Sequence, residues 1–93
     1  LQVYFANTFD DAVAEANNTK YGLAAGLISE NEKLFEGFTQ RINAGVINFN
    51  STTTGASGAF PFGGIGRSGN LRPAGFYAAD YCAWPKASIL KKL

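Results

Sequence analysis

Residues 23–50, LAAGLISENEKLFEGFTQRINAGVINFN, place a helical pattern between two short apolar segments. Leu23–Ser29 and Val46–Asn50 both have the length and apolar character of buried strands. The apolar residues between them fall on one helical face: Leu34, Phe35, Phe38 and Ile42. Ser29, three residues before Glu32, predicts a capping box at the start of that helix. The stretch therefore predicts two parallel strands joined by a helical crossover.

The preceding residues predict a further strand and a further helix. Leu1–Phe5 is short, apolar and aromatic, which favours a strand. Thr8 is a suitable N-cap, with acidic residues after it, for a helix that runs to about Asn18. We expect this helix to bury three apolar residues: Ala12, Val13 and Ala16. Strands and helices thus alternate over residues 1–50, which predicts an α/β fold built of parallel βαβ units.

Residues 51–73 form a second region, which is rich in glycine and threonine. Such a composition is often that of a flexible linker. This region also carries Phe60 and Phe62, which a solvated linker would normally lack. We therefore expect an ordered, partly buried loop system.

Residues 74–93 form the third region. Ala74–Tyr81 predicts a short helix with Pro73 near its first turn. The tail, Cys82–Leu93, contains Trp84 and a proline that cannot donate a ladder hydrogen bond, so it fits an edge strand at best. Because an apolar tail is unfavourable in water, we expect it to pack on something outside this chain.

The composition excludes several classes of function. The 93 residues include eight Lys and Arg against seven Asp and Glu, so the net charge of +1 gives no electrostatic basis for binding nucleic acid. The absence of histidine excludes a Ser-His-Asp triad and a histidine-ligated metal site in this chain. A single cysteine cannot form an internal disulfide, and no apolar run reaches the roughly 18 residues of a membrane span. We expect a cytoplasmic protein with no membrane partner.

Two motifs suggest chemistry that their surroundings do not support. Gly64–Gly69, GIGRSG, matches the G-x-G-x-x-G pattern of dinucleotide-binding folds. That pattern must follow a strand and open a helix, whereas Phe60–Gly63 is poor strand sequence and Pro73 interrupts any helix. Cys82 has apolar neighbours and no histidine to activate it, so we expect a structural cysteine and not a nucleophile. The sequence predicts neither a cofactor site at the glycines nor a catalytic residue.

The most informative candidate site is Asn48–Gly64. Asn48 and Asn50 bracket Phe49 at a strand end, where alternation directs both amides to the same side. The following loop, TTTGASG at residues 52–58, has small side chains and glycines that leave backbone N–H groups reachable. Such a loop can bind a carboxylate or a phosphate. A hydrogen-bonded surface turn explains the same residues equally well.

Residues 61–69, PFGGIGRSG, resemble the Pro-Phe-Gly-Gly-x-x-x-Ser-Gly stretch near the C-terminus of the aldehyde dehydrogenase superfamily. Further segments resemble the superfamily in order and spacing: Ala16–Leu23, Ala44–Asn50 and the helix-then-strand tail. The residues that most resemble the succinylglutamate semialdehyde dehydrogenases within it are Gly69-Asn70, Arg72-Pro73 and Tyr77–Pro85.

This resemblance implies three parts of a catalytic domain: 1–50 as its βαβαβ portion, 51–73 as the substrate-loop region, and 74–93 as a short helix followed by an oligomerisation strand. It implies NAD-dependent oxidation of N-succinylglutamate 5-semialdehyde to N-succinylglutamate in arginine catabolism, with NADP as an alternative, by a homo-oligomer. In the family, the catalytic cysteine and glutamate and the cofactor domain lie upstream of the residues matched here. We therefore expect this chain, which begins with Leu1, to be an inert fragment of the enzyme.

The resemblance also assigns a substrate site. Thr54, Gly55 and Ala56 match a loop that binds the far carboxylate of the substrate through backbone N–H groups, and Phe62 matches a wall of the aldehyde tunnel. A competing interpretation is a free-standing small α/β module that serves in binding or interaction.

Overall fold

The computed structural model describes residues 1–69, 71 and 74–93. Its elements in chain order are α1 (Phe9–Ala16), β1 (Tyr21–Gly22), β2 (Ala24–Leu27), α2 (Lys33–Arg41), β3 (Val46–Phe49), β4 (Pro61–Phe62), β5 (Ile65–Gly66), β6 (Ala74–Gly75) and α3 (Ala78–Tyr81). Within the described residues, β2 pairs with β3, β1 with β5, and β4 with β6.

The centre of the fold is the β2–α2–β3 unit. β2 and β3 are parallel, in a register that runs from the pair Ala24 and Val46 to the pair Leu27 and Phe49. Parallel neighbours require a crossover connection, and α2 supplies it. The prediction of an α/β fold is confirmed here by one βαβ unit.

A small apolar cluster holds α1 and α2 against this strand pair. Its buried members are Val13, Phe38 and Ile42. The partly buried side chains around them are Phe9, Ala25, Leu27, Phe35 and Ile47. The predicted apolar face of α2 is therefore confirmed, because this helix places its apolar stripe on the strands.

Helix α1 begins as expected but buries less than expected. The Thr8 hydroxyl accepts a hydrogen bond from the Asp11 N–H at 3.0 Å, so the predicted N-cap is confirmed. Of the three predicted apolar contacts only Val13 is buried, and the prediction for Ala12 and Ala16 is wrong. Those two alanines are exposed because no other element of the described chain covers their side of the helix.

Polar contacts join the C-terminal ends of the two helices. The Asn17 side chain donates to the Arg41 carbonyl and accepts from the Asn43 N–H, both at 2.8 Å. The Arg41 guanidinium lies 2.7 Å from the Asp10 carboxylate and over the ring of Phe9. The ion pair is exposed and contributes little, so the two amide hydrogen bonds and the apolar cluster set the helix packing.

Two predictions for the first half of the chain are wrong. Leu1–Phe5 is exposed and forms no strand, because no segment among the described residues offers it a hydrogen-bonding partner. The capping box does not form either, since α2 begins at Lys33, one residue after Glu32. Instead the Ser29 hydroxyl accepts from the Asn31 N–H at 3.0 Å, and the Asn31 side chain accepts from the Lys33 N–H at 3.1 Å.

The last region differs from its predicted form. Ala74–Gly75 is a strand paired with Pro61–Phe62, and the helix α3 is only four residues long. Gly75 has a φ of +69°, which is a left-handed conformation. The right-handed helix predicted from Ala74 therefore cannot include Gly75. Pro73, the predicted first-turn residue, lies outside the described residues, as do Asn70 and Arg72.

The tail that follows α3 pairs with no strand among the described residues. Its large apolar side chains are exposed, and Trp84 retains 86% of its accessible surface. Cys82 is exposed as well, and its expected role as a structural cysteine stays a prediction. The oligomerisation strand expected here stays a prediction.

Three separated segments meet at a set of residues that we call the glycine junction: Gly22, Gly45, Gly63, Gly64 and Ser68. The Gly45 N–H donates to the Gly22 carbonyl at 3.2 Å, and the Gly22 N–H donates to the Ser68 hydroxyl at 3.3 Å. A Cβ at Gly45 would overlap the carbonyl of Gly63, and a Cβ at Gly64 would lie 2.8 Å from the Gly22 carbonyl oxygen. Only glycine allows the backbones to approach this closely.

Much apolar surface is left uncovered outside this centre. The radius of gyration is 18.5 Å, whereas a compact domain of the same length has about 12 Å. The accessible surface is 8064 Å², against roughly 5,200 Å² for a compact protein of this size. No helix in the described part of the chain is long and apolar enough to cross a membrane.

The glycine junction predicts a sharp difference between two glycine substitutions. Gly45→Ala should lower the free energy of unfolding by about 3 kcal/mol, because its Cβ meets the Gly63 backbone. Gly37→Ala, inside α2 with nothing within 4 Å of the new Cβ, should raise it by about 0.5–1 kcal/mol. Urea unfolding of both variants measures the difference. Equal free energies of unfolding for the two variants would contradict the close contact between Gly45 and Gly63.

Candidate functional site

A cavity of about 430 Å³ lies beside β3. One wall is β3, through Val46–Asn48, and the facing wall is made by Gly55–Ser57 and Phe60–Phe62. The cavity therefore brings together three of the four predicted site residues, which are Gly55, Ala56 and Phe62.

Thr54, the fourth predicted residue, does not line this cavity. Its hydroxyl lies 2.7 Å from the hydroxyl of Thr52, so the two side chains form a hydrogen bond within the loop. Thr54 is adjacent to Gly55, and its contact contributes to the shape of the loop before the cavity wall begins.

The loop presents backbone donors to its surroundings. Within the part of the chain that the structure describes, the N–H groups of Gly55 and Ala56 have no intramolecular hydrogen-bond acceptor. Both residues are exposed, and Gly55 has φ of +126°, a conformation that side-chain-bearing residues rarely adopt. Unpaired N–H groups in a turn of this kind suit an anion such as a carboxylate.

Two polar side chains of the cavity wall make hydrogen bonds to the backbone of the loop. The Asn48 Nδ2 donates to the Thr52 carbonyl at 2.6 Å. At the other end the Ser57 hydroxyl accepts from the Ala59 N–H at 3.2 Å, and its carbonyl accepts from the Phe60 N–H at 3.1 Å. Asn48 and Ser57 both line the cavity and lie within the candidate segment Asn48–Gly64, although neither was assigned a role as a substrate ligand.

Asn50 joins the start of the loop by hydrogen bonds to Ser29, two residues after the end of β2. Its side chain accepts from the N–H of Ser29 and donates to the carbonyl of Ser29, both at 2.8 Å. Its φ of +48° is left-handed, which asparagine tolerates better than most residues. The strand ends at Phe49, so the alternation invoked for the two amides does not extend to Asn50.

The aromatic wall of the cavity is partly open. Phe62 retains 37% of its accessible surface and Phe60 retains 68%. Pro61 and Phe62 are held in place by antiparallel pairing with Gly75 and Ala74. An apolar chain entering the cavity would therefore cover side chains that are exposed in this structure.

The glycines of the G-x-G-x-x-G match pack against backbone of this chain. A Cβ on Gly64, Gly66 or Gly69 would meet backbone oxygens. The Arg67 N–H donates to the Lys20 carbonyl at 2.8 Å. The expectation of poor strand sequence before the motif is wrong, because Pro61–Phe62 forms β4, and the absence of a cofactor site at these glycines stays a prediction.

Other features are less suited to an anionic ligand. A cavity of about 570 Å³ lies between Tyr4–Asn7 and α1, where Asp11 and Glu15 contribute carboxylates that repel anions. The described residues contain no group of three or more His, Cys, Asp or Glu side chains placed to hold a metal ion. The cavity beside Gly55 and Ala56 is thus the better candidate for a carboxylate.

Comparison with known proteins identifies relatives of the chain. The model of the aldehyde dehydrogenase family matches residues 1–87. The chain is 59% identical over 89 residues to N-succinylglutamate 5-semialdehyde dehydrogenase 2 of Caulobacter vibrioides, a match that covers 96% of the chain and 18% of the relative. It is 53% identical over 92 residues to N-succinylglutamate 5-semialdehyde dehydrogenase of Legionella pneumophila (strain Corby), covering 99% of the chain and 19% of that relative.

Solved structures of aldehyde dehydrogenases are also similar to this chain. Aldehyde dehydrogenase 21 from Physcomitrella patens, in complex with the reaction product succinate, superposes with a TM-score of 0.72 at 29% identity, covering 81% of this chain and 16% of that one. The NAD⁺ complex of an aldehyde dehydrogenase from Bacillus cereus has a TM-score of 0.72 at 35% identity, covering 81% and 15%. The chain spans about 18% of the length of the curated relatives that it matches.

Proposed function

Because the chain belongs to the aldehyde dehydrogenase family, we propose that it works as part of a longer dehydrogenase that oxidises N-succinylglutamate 5-semialdehyde to N-succinylglutamate in arginine catabolism. The substrate named for the curated relatives supports this proposal. The small share of their length that the chain covers, together with its uncovered apolar surface, supports a role as one segment and not as a free-standing module.

In this proposal the chain binds the substrate and other parts of the enzyme oxidise it. The N–H groups of Gly55 and Ala56 donate to the far carboxylate of the semialdehyde, and Phe62 packs on its carbon chain. The cavity that joins these three residues carries the proposal. The complex of a related enzyme with succinate, a dicarboxylate, supports the expected class of ligand.

Recognition by neutral groups fits the charge pattern of the region. Between Asn43 and Gly66 the sequence has no charged side chain, so the carboxylate is bound by backbone dipoles and not by an arginine or a lysine of this segment. The hydrogen bond between Thr52 and Thr54 helps to fix the loop that carries those dipoles. In this proposal Thr54 helps to fix the conformation of the loop, whereas Gly55 and Ala56 contact the substrate carboxylate directly.

The oxidation itself is assigned to residues outside this chain. NAD, or NADP, would accept the hydride there, as the NAD⁺ complexes of related enzymes support. Cys82 is not among the residues that line the substrate cavity, and it lies in the exposed tail. The isolated chain is accordingly expected to be inert, and the enzyme to work in the cytoplasm.

The exposed tail is proposed to join a neighbouring subunit of a homo-oligomer. Trp84, Ile89 and Leu90 retain 86%, 91% and 88% of their accessible surface. Burying an apolar side chain contributes about 1.5–3 kcal/mol, so covering these three gives a substantial driving force for assembly.

Removing one backbone donor should weaken substrate binding. In the full-length dehydrogenase, Ala56→Pro should raise KM for the semialdehyde about tenfold or more, because proline has no N–H to donate. Ala56→Gly keeps the N–H and serves as the matched control, with KM within about twofold of the parent. Steady-state kinetics measure both variants. An unchanged KM in Ala56→Pro would contradict the carboxylate assignment.

Removing the tail should reduce the size of the assembly. Deletion of residues 82–93 from the full-length enzyme should shift its mass in solution towards smaller oligomers, because the apolar contact is lost. Deletion of residues 91–93 alone removes two lysines and one leucine and should leave the assembly intact. Light scattering measures the mass. An unaltered mass after the longer deletion would contradict a role for the tail in assembly and would leave it only a local structural role.

A further inference from the structure

We propose that Asn48 is a positioning residue that sets the carboxylate-binding loop, so that it controls preference for substrates with a far carboxylate. This inference rests on the proposed function. It concerns a side chain that acts through the loop and makes no contact with the reacting atoms.

The Asn48 carboxamide joins the rigid part of the fold to the loop. Asn48 lies on β3, where its backbone is paired with Gly26 of β2. Its Nδ2 donates to the Thr52 carbonyl at 2.6 Å, three residues before Gly55. A carbonyl oxygen only accepts hydrogen bonds, so the atom that faces it must be the amide nitrogen, and the orientation of the carboxamide is fixed.

The two donors of the proposed site lie between the Asn48 contact and a local turn. On one side Asn48 holds Thr52, and on the other Ser57 closes a turn with Ala59 inside the loop itself. Gly55 has nothing within 4 Å of the position of a Cβ. The hydrogen bond from Asn48 is therefore a side-chain contact that ties the residues just before Gly55 to β3, and we expect it to help set the directions of the N–H groups at Gly55 and Ala56.

The core of the fold does not need the Asn48 side chain. The register of β2 and β3 is set by backbone pairs from Ala24 to Leu27. The buried cluster of Val13, Phe38 and Ile42 does not include Asn48 either. Loss of the Asn48 carboxamide should therefore leave the fold unchanged, while the position of the loop that carries Gly55 and Ala56 becomes less well defined.

The test compares two substrates in the full-length dehydrogenase. Asn48→Leu keeps a side chain of similar size but removes the donor. Its KM for N-succinylglutamate 5-semialdehyde should rise about fivefold, the size of effect expected when one hydrogen bond is lost. KM for hexanal, an aldehyde without a carboxylate, and kcat for both substrates should stay within about twofold. Asn48→Ala, which also removes the donor, allows the same comparison if Asn48→Leu does not fold.

A matched control is Asn31→Ala, which removes another asparagine contact with the backbone, at the start of α2 and away from the cavity. It should change neither KM. An equal rise in both KM values for Asn48→Leu, or no rise in either, would overturn the positioning role. If Ala56→Pro raises KM and Asn48→Leu does not, the positioning role fails and the carboxylate site stands. If Ala56→Pro has no effect either, the proposed function itself fails.

Discussion

Close approach of backbone to backbone at the glycine junction holds three separated segments of this chain together. Gly45 leads into β3, Gly22 leads into β2, and Gly63-Gly64 follow β4, so one set of contacts places all three strands. A side chain at Gly45 would occupy the space of the Gly63 carbonyl. Because the contact between Gly45 and Gly63 leaves no space for a Cβ atom, it is more sensitive to substitution than the exposed ion pair between Arg41 and Asp10.

The candidate site follows from this arrangement. With Gly63 and Gly64 fixed beside Gly45, the preceding Phe62 lines one cavity with Val46–Asn48 of β3 and with Gly55 and Ala56 of the intervening loop. The side chain of Asn48 attaches the start of that loop to β3, and Ser57 closes a local turn after Gly55 and Ala56. A rigid strand thus positions a loop that carries the proposed recognition, a common division between scaffold and function.

Local patterns predicted the parts of the fold whose cause is local. The spacing of Leu34, Phe35, Phe38 and Ile42 predicted the face of α2, and Thr8 predicted the start of α1. The strand expected at Leu1–Phe5 failed because a strand needs a partner, and periodicity carries no information about one. The glycine junction joins residues that are 18 to 46 positions apart, so no pattern within a short window could have revealed it.

The site could be predicted only in part. Gly55, Ala56 and Phe62 came from a family resemblance, and they line one cavity, whereas Thr54 does not. Their role as substrate ligands stays a prediction. Asn48 and Ser57 act through hydrogen bonds to Thr52 and Ala59, which depend on the three-dimensional course of the loop. Composition and spacing gave no signal for those bonds.

The most direct measurement of the central claim is amide hydrogen exchange of the 93-residue chain at single-residue resolution. The glycine junction predicts slow exchange at Gly22 and Gly45, whose N–H groups donate to the Ser68 hydroxyl and the Gly22 carbonyl. We expect fast exchange at Gly55 and Ala56, whose N–H groups have no acceptor among the described residues. Exchange at Gly22 and Gly45 as fast as in the loop would contradict the claim that the junction holds these segments together.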